Sequence, residues 1–549
     1  MRKYLAYILI AVPILGVIFP NANAQSSMPQ ADPARIEAHI KFLADDLLGG
    51  RDTGTQGYEI AARYVASQFA QIGVQPAGNN DSYFQDIAFR RAYRDLDSAS
   101  MVVHTADGDE AFRFREEFIT GAPMSRTEEV VTAPLIFVGY GIEAEWLNHH
   151  DYEGLDVAGK IVVVLSGRPA SFPSEEGAHF GSGAEKSKAA VSRGAVGMIT
   201  LWTPLRERTN PFSRTIRNLH QPAVSVLNRD GSVNGSPSTL RGGAALNLEA
   251  GSRLFDLAGI SLDDVFATID RGEVPEGFEL PLTVTLKRAS RHESITSPNV
   301  LGIIEGSDSV LKNEFVTFTA HLDHVGPAEG EDGDLIHNGA LDNAAGVAAL
   351  LENARLLMAL PERPRRSIMF VIVTAEEKGL LGSQYFAENP TVPIQNIVAN
   401  INLDMPLILY PFSNVIAFGA QHSTLQGSLV RALETLGVGL MDDPMPEEAI
   451  FVRSDHYRFV QQGIPAVMLA TGYGSIDPEL NGEEIWDNFF QTHYHQVSDS
   501  VELPIDYEAG ARFAQVNFII GTDLANAEDR PRWNANDFFG NEFGREWSR

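Results

Sequence analysis

The chain has 549 residues, 44% apolar and 21% charged, with 48 Gly, 29 Pro and no Cys. These fractions exclude a wholly disordered, collagenous or multi-span membrane protein, and at roughly 100–200 residues per domain the length predicts two or three domains. The formal charge of −30 repels phosphate backbones, so no nucleic-acid partner is expected; without cysteine, any metal must be held by His, Asp or Glu.

Residues 1–24 read as a signal peptide. Arg2 and Lys3 precede an almost purely apolar run, and Ala22-Asn23-Ala24 fits the small-x-small cleavage pattern. The run is short for a span of about 20 residues, and Pro13 interrupts it. Cleavage, export to the periplasm or medium, and no stable membrane insertion afterwards are therefore expected.

Residues 25–128 form the first part of the main domain. Ile36, Ile40, Leu43 and Leu47, then Tyr58, Ala62, Val65 and Phe69, recur at spacings of three and four, which predicts two helices around a Gly/Thr-rich turn. Strands follow within 83–120. Residues 129–283 differ in texture: β-rich runs at 129–142, 156–166 and 222–226 and a helix–turn–strand at 183–200 predict a small module. It has few clustered ligand-type residues, so it reads as non-catalytic.

In residues 284–525, apolar β-branched runs at 298–305, 314–320, 367–374, 397–403 and 464–470 alternate with helical stretches at Asn343–Leu360, Gly382–Glu388, Ser423–Leu436 and Asp455–Gln462. Buried strands alternating with helices predict an α/β fold, a mostly parallel central sheet flanked by helices. The polar tail 526–549, with Trp533, Phe538, Phe539, Phe543 and Trp547, is expected to wrap a domain surface.

The chemistry-bearing residues collect at predicted strand ends. His321 and Asp323 follow FVTFTA, Glu376 and Glu377 follow MFVIVTA, and Asp404 follows VANINL; the carboxyl edge of an open α/β sheet is where sites assemble. Carboxylates buried there need partners, which metal ions would supply. From an extended backbone, Asp323 points the same way as His321 and can accept its second N–H. Asp342, just before a helix, reads by default as an N-cap; a metal-bridging carboxylate also suits the position, and the two roles are compatible. Adjacent Glu376 and Glu377 imply divided labour, one ligating and one moving a proton. His493 and His495 lie in a polar loop. The acidic loop 327–334 lacks regular calcium spacing and reads as solvated.

Six strings in order, Ala320-His321-Leu-Asp323-His324, Asn338-Gly-Ala-Leu-Asp342-Asn343, Ala375-Glu376-Glu377-Lys-Gly, Asn402-Leu-Asp404-Met405, Ser454-Asp455-His456 and Tyr494-His495-Gln-Val-Ser498-Asp499, resemble the co-catalytic zinc metallopeptidases, an aminopeptidase family whose wider relatives include glutamate carboxypeptidase. Val138-Gly-Tyr-Gly141 and Asp156-Val-Ala-Gly-Lys160-Ile-Val-Val-Val resemble an inserted protease-associated domain.

The resemblance implies two zinc ions per chain, with manganese or cobalt fitting the same donors. Asp342 would bridge them, His321 and Asp404 would serve opposite metals, and Glu377 and His495 would complete the set. Glu376 would be the general base and Asp323 would hold the His321 imidazole. A cis Asp342–Asn343 bond is also implied.

The implied function is an exported aminopeptidase acting on peptide substrates. The alternatives are a metallocarboxypeptidase, for which a substrate-binding arginine cluster is expected and none is evident, Arg51, Arg453 and Arg458 being the candidates, and a non-catalytic receptor or binding protein on a peptidase scaffold, which predicts lost ligands or a lost Glu376.

Overall fold

A computed structural model describes residues 28–217, 219–235, 240–328 and 333–545. The expected signal segment, Glu329, Glu331 and Asp332 of the acidic loop, and Trp547 lie outside these residues. Among the described residues no helix is long and apolar enough to cross a membrane.

The main domain is built, in chain order, from α1 (Pro33–Leu43), α2 (Gln56–Ile72), β1 (Phe84–Arg94), β2 (Phe278–Ile304), β3 (Phe315–His321), α3 (Ala345–Met358), β4 (Ser367–Val373), β5 (Ile397–Leu403), β6 (Asn414–Phe418), α4 (Leu425–Leu436), β7 (Ala466–Thr471), α5 (Gly482–Thr492) and α6 (Tyr507–Asn526). Strands β4, β3, β5 and β7 lie side by side and parallel in that order. Every residue of these four is buried, which explains their continuous apolar character, since helices cover both faces of such a sheet. Antiparallel neighbours flank this centre: β2 beside β4, β1 beside β2, and β6 beside β7. Helix α3 packs against α1, α2 and α6. Register sets the chemistry, because His321 lies opposite Val373 and Thr319 opposite Asn402, so β4, β3 and β5 end on one edge.

The 27-residue β2 joins the main domain to the insert. Its Ser290–Val300 stretch pairs with β1, whereas Phe278–Ala289 pairs with the Glu128–Phe137 strand. Parallel strands Ile161–Leu165, Gly197–Leu201 and Gly242–Leu246 extend the insert's sheet. The strands at Ser100–Thr105 and Gly108–Phe112, which the sequence reading puts ahead of the insert, also belong to this sheet through pairing of Met101 with Leu286 and Phe112. Met101, Val103 and Phe112 share a core with Val131, Leu135 and Val284. The change of texture near residue 128 therefore falls inside this sheet: its first hairpin is polar on one side and carries a weaker apolar signal than its buried central strands.

Candidate active site

The sheet edge gathers groups that are far apart in sequence. His321 is the last residue of β3, Asp404 follows β5, Glu376 and Glu377 follow β4, Asp342 sits in the 340–344 turn before α3, and His495 follows α5. His321 Nε2 lies 2.9 Å from Asp404 Oδ1 and 3.2 Å from Asp342 Oδ1. His495 Nε2 lies 3.2 Å from both Asp342 Oδ2 and Glu377 Oε2. The two oxygens of Asp342 thus face two donor groups, and the Asp342–Asn343 peptide bond is cis.

Two expectations are corrected. His321 and Asp404 share one side of Asp342 instead of opposite sides, because β3 and β5 are adjacent parallel strands whose ends meet. Glu377, from β4 on the other flank of β3, joins His495 on the far side. The Asp323 carboxylate does not hold His321: His321 Nδ1 lies 3.1 Å from the Asp323 main-chain carbonyl. The extended run ends at His321, so the alternation that would put the two side chains together stops there. The Asp323 carboxylate instead accepts from the amides of Glu376 and Glu377, at 3.1 and 3.3 Å, and from the Thr53 hydroxyl at 3.3 Å.

This geometry fits metal ions. With Nδ1–H donating to a carbonyl, His321 presents the Nε2 lone pair to two carboxylate oxygens, and lone pairs converging at 2.9–3.2 Å need a cation among them. The electrostatics show that the cluster favours positive charge. Burial alone lowers the His321 pKa, but Asp404, Glu376 and Asp342 outweigh it and hold the imidazole well above its ordinary value. Burial raises Asp342 and Glu377, yet the histidines overcome this and hold both carboxyls low. Glu376, outside both donor groups, goes the other way: burial and the neighbouring Asp404, Glu377 and Asp455 carboxylates push it well above the usual range. A carboxyl raised in that way is suited to proton transfer.

Several supporting residues escape the sequence reading. Arg51 is 1% exposed and donates to the carbonyls of Leu43, Leu322, Asn338 and Gly339, tying the turn after β3 to the turn before Asp342. It is thus part of the frame and unavailable to a substrate carboxylate. Asp499 accepts from the amides of Leu341 and Asp342, at 2.9 and 3.0 Å. Ser454 donates to Asp404 Oδ2 and accepts from Asn402. Asp499 and Ser454 lie in the strings quoted above, but single polar residues carry no pattern that reveals such roles.

Beside the donors, His321, Glu376 and Asp404 open onto a cleft lined by Met405, Phe418, Ile450, Met468, Trp486 and Phe490. Trp486 and Phe490 come from α5. Arg453 also lines the cleft; it pairs with Glu448 at 2.9 Å and donates to the Tyr494 hydroxyl at 3.1 Å. Arg458 donates to the Gly379 carbonyl at 3.0 Å.

Residues 299–519 match the sequence model of Peptidase family M28, and residues 131–232 match that of the PA domain. Aminopeptidase YwaD of Bacillus subtilis is 28% identical over 211 residues, covering 38% of this chain and 40% of that protein. A probable leucine aminopeptidase 2 of Aspergillus fumigatus is 29% identical over 256 residues, covering 45% of this chain and 46% of that protein. The mouse aminopeptidase NAALADL1 is 38% identical over 148 residues, which span 26% of this chain and 17% of that protein. The chain thus spans less than half the length of these curated relatives. The solved aminopeptidase from Aneurinibacillus sp. strain AM-1 shares the fold, with a TM-score of 0.53 at 20% identity over 90% of this chain and 94% of that one.

Proposed function

We propose, from the matches of residues 299–519 to Peptidase family M28 and of residues 131–232 to the PA domain, that this chain is an exported, zinc-dependent aminopeptidase with a dinuclear site. The observation that carries the reading is the division of donors across Asp342: His321 and Asp404 on one oxygen, Glu377 and His495 on the other. Asp323 contributes by fixing the turn that carries both glutamates. A set of imidazole nitrogens and carboxylate oxygens suits zinc, and manganese or cobalt fits the same donors. Export rests on the amino-terminal segment alone.

Two divalent ions held there would acidify a water and polarise a peptide carbonyl. The chain's own residues do the rest. Glu376, held high, takes the proton of the attacking water and returns it to the leaving amine. The apolar cleft beside the donors accepts the side chain of the first residue and excludes water from it. The carboxypeptidase alternative lacks a free cation among the three arginines it would use. Arg51 is committed to backbone carbonyls, Arg458 donates to Gly379, and Arg453 is paired with Glu448.

Metal analysis paired with assay of free and amino-blocked peptides tests this reading. The expected result is two equivalents of zinc and cleavage only of peptides with a free amino group. Release of carboxy-terminal residues from blocked peptides, or metal binding without any turnover, overturns it.

A further inference from the structure

The donor set leaves one buried imidazole at the centre unused. His324 lies in the turn after β3, is 0% exposed, and is backed by Gly339, where a Cβ would come within 2.6 Å of the ring. The rings of His337 and His495 meet it edge-on at 6.4 and 5.8 Å. Its Nδ1 is 2.7 Å from Glu377 Oε1 and 4.0 Å from Asp342 Oδ2, while its Nε2 is buried with no hydrogen-bond partner among the described residues.

A carboxylate oxygen only accepts, so the nitrogen 2.7 Å from it carries the proton. The neutral ring then has its lone pair on Nε2, and no buried N–H is left unpaired. Were Nδ1 itself a metal donor, its lone pair would crowd the Glu377 lone pair and an Nε2–H would be buried without an acceptor among the described residues.

Resting on the dinuclear site proposed above, we propose that His324 is a positioning residue for Glu377. Its Nδ1–H occupies Oε1 and leaves Oε2 alone to face His495 and Asp342. Glu377 then serves its metal position through a single oxygen, which keeps that position open for reacting groups.

The test uses the full chain stripped of metal and titrated with Co²⁺ by calorimetry and visible absorption, with His324→Ala and His324→Asn alongside. Asn places a side-chain N–H close to the Nδ1 position. The parent is expected to bind two equivalents. In His324→Ala one equivalent is held as in the parent and the other about 10–100-fold more weakly, with an altered visible spectrum for that equivalent alone. His324→Asn is expected to restore the affinity to within a few-fold. A parent with two equivalents and an unchanged His324→Ala overturns this assignment alone. So does a His324→Asn that behaves like His324→Ala, which would make the ring a direct donor or a space-filler. A parent that binds a single equivalent overturns the dinuclear reading and this one with it.

Discussion

Glu376 and Glu377 are neighbours whose environments separate them. Both amides point at the Asp323 carboxylate, yet Glu377 faces His324 and His495 and is held low, whereas Glu376 faces carboxylates and burial pushes it high. Removing only the titration of Glu376 separates metal binding from chemistry. Glu376→Gln is expected to retain the metal content of the parent while kcat falls about 10²–10⁴-fold, the range general acid–base groups contribute. Metal analysis and steady-state assay of the same preparation check this; parental turnover in the variant rules out Glu376 as the base.

The 340–344 turn and the first turn of α3 act as one element. Asn343 is its pin: its side chain donates to the Leu403 carbonyl at 3.0 Å and accepts from the amides of Gly346 at 3.0 Å and Met405 at 3.2 Å. One amide thereby ties the Asp342 turn to the end of β5, where Asp404 stands. Gly346 permits this approach, since a Cβ there would lie 2.1 Å from Asn343 Oδ1 and 2.4 Å from the Leu403 carbonyl. Gly346→Ala is therefore expected to cost about 1–3 kcal/mol, in the range of overpacking, and to weaken metal binding as Asn343 is displaced. Chemical unfolding and metal titration provide the measurement; unchanged values for both would show that the Asn343 pin is dispensable.

Across the whole molecule, the insert, the main domain and the carboxy-terminal segment meet at His422. Its ring is bracketed by Glu175 of the insert's Ser174–Gly181 helix and Asp537 of the tail, with Gln421 beside it, Phe451 tilted against it and Phe539 edge-on to it. Burial lowers the imidazole, but the two carboxylates outweigh it and push its pKa up to about 10 from 6.5. A raised folded-state pKa contributes stability that is fully present below about pH 6.5 and lost as pH rises toward 10. Burial also pushes Glu175 up, so its charge is poorly tolerated once His422 loses its proton. The parent is expected to lose unfolding resistance across this alkaline window, and His422→Gln to show a flatter profile. Parallel pH profiles in chemical unfolding would exclude the three-way junction as the cause.

The tail and insert also explain what local pattern alone leaves open. Phe538 and Phe539 are buried against partners such as Phe451 and His179, more than eighty residues away in sequence. Helix α6 is missed by the sequence reading although it runs Tyr507–Asn526. Its buried residues run nearly all round it, from Ala509 and Phe513 to Ile520 and Leu524, so no single apolar stripe marks it, and Gly521 sits where a Cβ would come within 2.2 Å of Phe318. Small residues selected for close approach carry little apolar periodicity. By contrast, α2 and strands β3, β4, β5 and β7 are legible because their burial is imposed residue by residue along the element itself.

The same contrast divides the site. Which residue types crowd the strand ends, and in what order, is written in the chain, because a parallel sheet delivers consecutive strand ends to a common edge. Which donors share an oxygen of Asp342, which carboxylate holds backbone instead of an imidazole, and that His324 grips Glu377 follow from strand order and from where each extended run stops. Those are relations between segments 53 and 83 residues apart, and no spacing along the polymer encodes them.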